Sequence, residues 1–129
     1  MKSVRLHLTR DSVGPGDDML APHERTVSVT GPVVAPTDLQ DAVARVAPDY
    51  LPWAMGRVTW GAWCGVPLGI ISTRGTLFRP FFLSDVDAQR FSRTLDGFEL
   101  QFIYFGERDP DVVFDVLEQT QRVQPSRVK

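Results

Sequence analysis

Residues 37–47 read Thr37-Asp38-Leu39-Gln40-Asp41-Ala42-Val43-Ala44-Arg45-Val46-Ala47, and this run decides the fold class. Leu39, Ala42, Val43 and Val46 recur at i, i+3, i+4 and i+7, which makes one apolar stripe along a helix. Thr37 followed three residues later by Gln40 has the capping-box pattern, and Pro36 stops the segment before it. Pro48 is expected to end the helix, because the residue before a proline avoids the helical region. The expectation is an amphipathic helix over about Asp38–Ala47, its stripe covered by a sheet.

On the N-terminal side, Val4, Leu6 and Leu8 alternate with Arg5, His7 and Thr9, the period of a half-buried strand. A second strand is expected over Arg25–Thr30, with Val27 and Val29 on one face. The connection from Arg10 to Glu24 is rich in Gly, Pro and Asp and too long for a tight hairpin; loops of this length are often functional. On the C-terminal side, two strands are expected near Arg57–Cys64 and Leu68–Thr73, with the turn at Gly65 and Pro67. Both are rich in the aromatic and β-branched residues that suit a pleated surface. Phe81, Phe82 and Leu83 add a short extended piece, and Asp85 is expected to cap a short helix through about Arg93. Leu100, Phe102 and Tyr104 alternate with Ile103 and Phe105. A strand over Glu99–Phe105, apolar on both faces, belongs in the middle of a sheet. Asp109 and Pro110 then form a strong helix start. The helix runs to about Arg122, with Val113, Val116 and Leu117 as its buried stripe.

The reading is α+β: a mixed or mostly antiparallel sheet of about five strands, one packed amphipathic helix and a C-terminal helix. The element order over Val4–Phe105, ββαββ(α)β, resembles that of β-grasp (ubiquitin-like) folds. The chain lacks the Gly-Gly terminus of ubiquitin and of sulfur carriers, so the resemblance does not imply carrier chemistry. A single domain over 1–129 is expected, with a core at 1–105, the last helix at 110–122 and a frayed tail at 123–129.

Hydrophobic residues make up 43% and charged residues 23% of the 129, an ordinary globular composition. Cys64 is the one cysteine, so no internal disulfide can form, which points to a reducing compartment. The alternating N-terminus has no apolar core of the signal-peptide kind. The uncharged stretch Val58–Thr73 is shorter than a spanning helix and is broken by Gly61, Gly65, Pro67 and Gly69. A cytoplasmic location without a membrane partner is expected. The net charge of −2 and scattered Lys and Arg argue against nucleic acid as a partner.

Candidate chemistry is sparse. Trp63-Cys64-Gly65-Val66-Pro67 resembles the thioredoxin redox motif, but the second cysteine is absent, which leaves Cys64 as a small semi-buried hydrophobe. Neither His7 nor His23 can be placed beside Cys64 as a protease would require. Asp17, Asp18 and His23, with Glu24, have the donor types for a divalent ion, but their spacing matches neither an EF-hand nor a zinc pattern. Gly14-Pro15-Gly16 lacks the Lys-Ser/Thr of a phosphate loop. Asp17 and Asp18 are better suited to pairing with arginines, here Arg10 or Arg25, or on a partner. The aromatic concentration from Trp53 to Phe82 reads chiefly as core, with Trp63 the best single candidate for an exposed patch and Arg74 and Arg79 flanking it.

No cofactor is expected. The leading expectation is a non-catalytic protein-binding module whose contacts are Arg10, Asp17, Asp18, His23, Trp63, Arg74 and Arg79. The stretch Leu8-Thr9-Arg10-Asp11-Ser12-Val13, with Gly16-Asp17-Asp18 and Ala21-Pro22-His23, resembles the opening of some small bacterial proteins of unassigned function. That resemblance, with small size and mild acidity, implies an immunity-type protein that blocks a toxin by stoichiometric occlusion. The alternatives are a small metal- or ligand-binding enzyme using Asp17, Asp18 and His23, and a homodimer or subunit of a larger assembly.

Overall fold

The computed structural model describes residues 3–11, 24–52 and 56–123, with no side-chain description at 122 and 123. Six strands form one mixed sheet: β1 (Ser3–Arg10), β2 (Glu24–Thr30), β3 (Arg57–Trp63), β4 (Pro67–Arg74), β5 (Leu77–Phe82) and β6 (Gly97–Gly106). Among the described residues two helices accompany it, α1 (Pro36–Tyr50) and α2 (Pro110–Val123), with one 3₁₀ turn at Ala88–Arg90. The spatial order is β2-β1-β6-β3-β4-β5. β1 runs parallel to β6, and every other neighbouring pair is antiparallel. The α+β class therefore holds, with one strand more than expected. Only the end of β5 was legible as extended, because Arg79 and Pro80 interrupt its apolar pattern.

Residues paired across strands share a face, and the two faces differ. Leu6, Leu8, Phe98, Leu100, Phe102, Trp60 and Ala62 lie on one of them, all buried. α1 covers this face with Leu39, Ala42, Val43 and Ala47, and Tyr50 meets the Phe102 ring at 5.7 Å. Each such side chain, fully buried, contributes roughly 1.5–3 kcal/mol through removal from water. Gln40 breaks the apolar run and has its own use: its buried Nε2 donates to the carbonyls of Leu68 (3.1 Å) and Leu83 (2.9 Å). This ties α1 to β4 and to the end of β5. Trp60 Nε1 and Thr73 Oγ1 are buried in this layer with no hydrogen-bond partner among the described residues. α2 lies against β4 and β3 on the other face. It is tied there by Thr59 Oγ1, which donates to the Arg108 carbonyl at 2.9 Å.

Several sequence expectations need correction. α1 starts at Pro36 and passes through Pro48 to Tyr50. Pro48 removes one helical hydrogen bond, but the Tyr50 ring is held between Phe102 and two guanidiniums, Arg10 at 5.9 Å and Arg25 at 5.5 Å. That packing extends the last turn. The Thr37–Gln40 capping box does not form, because Gln40 points into the core. The Asp38 carboxylate accepts instead from the N–H groups of Ala35 (2.9 Å) and Val34 (3.0 Å), which hold its pKa below the ordinary value. Asp85 caps nothing and has a positive φ of 58°; Asp87 caps the short 3₁₀ turn. In α2, Val113 and Leu117 are buried but Val116 is 56% exposed. The Asp109 start is as expected, its carboxylate accepting from the Asp111 N–H at 2.9 Å.

Candidate functional site

The face opposite α1 has two unlike halves. On the β2-β1-β6 side it is a row of polar side chains set by register, with Thr26, His7 and Glu99 abreast. His7 Nδ1 lies 3.3 Å from Thr26 Oγ1, and His7 Nε2 lies 3.3 Å from Asp96 Oδ1. Asp96 also accepts from Thr94 Oγ1 at 3.1 Å and pairs with Arg5 Nε at 3.6 Å. The His7 hydrogen bond, and then that of Thr94, lower the Asp96 pKa. Ser92 Oγ donates to Glu99 at 3.1 Å. The hydroxyl–imidazole–carboxylate order is that of an activated nucleophile. Here it lies on an open strand face, with the His7 and Asp96 side chains 37% and 51% exposed. Its members mainly hold one another.

The other half is built by β3, β4, β5 and the start of α2. Register places Arg57 beside Arg74 and Arg74 beside Leu77, with Ser72 beside Arg79 and Ile70 beside Phe81. Arg57, Arg74 and Arg79 thus stand on one face, around a groove of about 430 Å³ that Leu77 and Phe81 also line. Leu77 is 53% and Phe81 47% exposed, a large apolar presence for a surface. Asp109 and Asp111, at the start of α2, form the opposite wall. Asp109 is engaged in capping its own helix. Among the described residues, none of the three arginines forms an ion pair. The groove is therefore a set of bidentate anion donors beside exposed apolar side chains, suited to holding carboxylates next to an apolar anchor.

The sequence-derived candidates separate. Arg74 and Arg79 meet in the groove, together with Arg57, which sequence reading missed. Its only signal was its place at the head of an aromatic strand; the register with Arg74 is a tertiary fact. Trp63 lies six residues along β3 from Arg57, roughly 20 Å away at strand rise. It is half-buried and stacks on Phe105 at 6.5 Å. Both rings lie over Gly61, where a Cβ would meet Trp63 at 2.6 Å and Phe105 at 2.8 Å. Arg10 ends β1 at 5% exposure, over the Tyr50 ring. Arg25 pairs with Asp49 at 3.5 Å. Asp17, Asp18 and His23 lie outside the described residues.

Among the described residues, no three His, Cys, Asp or Glu side chains gather closely enough to hold a metal ion. Cys64 is fully buried and its Sγ donates to the Ser92 carbonyl at 3.4 Å; burial pushes the thiol up to about 11. Burial thus favours the thiol over the thiolate, which is the nucleophilic form. No described helix is long and apolar enough to cross a membrane. No protein-family model matches the chain, and no curated protein or solved structure shows significant similarity to it.

Proposed function

We propose that this protein is a binding module that docks an acidic segment of another protein in the Arg57–Arg74–Arg79 groove and acts by occupying that partner. The observation that carries the reading is the triad of arginines, without ion pairs among the described residues, set beside exposed Leu77 and Phe81. Arginines and aromatics are the side chains on which interface energy concentrates. Exposed Val112 and Val116 extend the apolar surface along the helix whose first turn lines the groove. The narrower form of the proposal is an immunity-type protein that neutralises a toxin one-to-one. The β-grasp likeness is part of the same reading. Two features support it: the parallel pairing of β1 with β6 at the middle of the sheet, and a helix between the two N-terminal and the next two strands.

The test is a capture experiment from native lysate with two baits, the wild type and an Arg57→Ala/Arg74→Ala/Arg79→Ala variant. The wild type is expected to retain a partner at a one-to-one ratio and to lower its activity. The variant is expected to retain none. A partner held equally by both baits, or no partner at all, would sink the proposal.

A further inference from the structure

The two edges of the sheet are not alike. β5, at one end, carries Pro80, which has no N–H to offer another strand and makes a poor template for pairing. β2, at the other end, has seven residues without a proline. The direction of its free backbone groups follows from its neighbour. Arg5 N–H donates to Asp96 and Asp11 N–H to Phe102, so the odd-numbered residues of β1 turn their backbone toward β6. The even ones, Val4, Leu6 and Leu8, must then bond to their partners Val29, Val27 and Arg25. Glu24, Thr26, Ser28 and Thr30 therefore turn their N–H and C=O groups outward. Among the described residues, nothing pairs with that edge.

We infer that β2 is the seat of a homodimer, in which two copies of the strand pair antiparallel about a twofold axis at Val27. The strand is self-complementary in that register. Thr26 faces Ser28 of the second copy, Glu24 faces Thr30 and Arg25 faces Val29, so no like charges are opposed. It is also the register in which every outward N–H and C=O of the strand finds a partner; sliding by two residues leaves some unpaired. The two sheets then become one continuous sheet, the isologous contact of a twofold dimer. Both arginine grooves remain at its far ends.

Sedimentation equilibrium on the full chain, from micromolar to millimolar, tests this. The mass is expected to rise with concentration from 14.4 kDa to twice that value. Ser28→Pro removes an outward N–H and leaves the β1–β2 ladder intact, giving β2 the block that β5 already has. It should hold the protein at the monomer mass with a cooperative melt. Hydrogen exchange of the wild type gives a second reading that needs no variant. The Thr26 and Ser28 amides should slow by about tenfold or more between dilute and concentrated samples, as edge groups become paired. A monomer mass throughout, a dimer that survives in folded Ser28→Pro, or amides whose exchange ignores concentration would each overturn the inference.

Discussion

The polar half of the exposed sheet face and its arginine half are built from similar residues, yet they have opposite economies. Beside β1, β2 and β6, the charged groups at the centre of the row reach neighbours: Arg5 and His7 meet Asp96, His7 meets Thr26, and Ser92 meets Glu99. On β3, β4 and β5, Arg57, Arg74 and Arg79 stand together without an ion pair among the described residues, beside apolar side chains that water covers. A surface whose charges are mutually satisfied has little to gain from a ligand. A surface that gathers three arginines without ion pairs can gain from a carboxylate that docks against them. The difference teaches that charge content alone does not mark a working surface; the state of its pairing does.

The comparison can be broken or sharpened by substitution. The largest expected effect is at Gly97, which frames the polar half. A Cβ there would land on the Arg5 carbonyl, so β1 and β6 could not pair as they do. Gly97→Ala should cost about 3 kcal/mol, measured by denaturant unfolding; a change near zero would mean that the two strands tolerate separation at their start. Next, in the arginine half, Arg57→Ala/Arg74→Ala/Arg79→Ala should weaken partner binding on the order of 100-fold. Each change should move stability by no more than about 0.5 kcal/mol. A large stability loss would show that these arginines serve the fold and not a ligand.

Under the arginine half, on the α1 side of the sheet, lies Thr73, whose hydroxyl is buried without a partner among the described residues. Thr73→Val keeps its shape and should raise stability by about 1 kcal/mol, with partner binding unchanged. A destabilised variant would reveal a use for the hydroxyl. The smallest effect is expected at Asp96. Its folded pKa is depressed, chiefly by His7, so its contribution is present above the unfolded carboxylate value of about 4. It is lost as pH falls through the lower folded value. Asp96→Asn should melt slightly below the wild type at neutral pH, and the gap should close in strong acid. A gap that persists at acid pH would remove the ion pairing from the explanation.

What could be read from the chain, and what could not, divides along sequence distance. The strands at Val4–Leu8 and Leu100–Tyr104 and the helix start at Asp109–Pro110 were legible because their signals are local. Alternation, periodicity and capping involve residues within a turn or two of each other. Val116 misled for the same reason: helical spacing places it beside Leu117, but which side of that stripe meets the sheet depends on where α2 lies. Pro48 misled because its local cost is real, while the packing of Tyr50 against Phe102, Arg10 and Arg25 comes from distant chain.

The sequence by itself therefore determined the α+β class, the central place of the last strand and the absence of a disulfide within these 129 residues, since these follow from short-range pattern and composition. It also marked Arg74 and Arg79. Only the tertiary structure decided that they share a groove with Arg57, that His7 lies between Thr26 and Asp96, that Gln40 clamps two carbonyls, and that β2 is left as an edge. Those facts depend on strand order and register. Both are set by how the apolar faces of the strands and helices are buried together, and no local stretch of the chain contains that information.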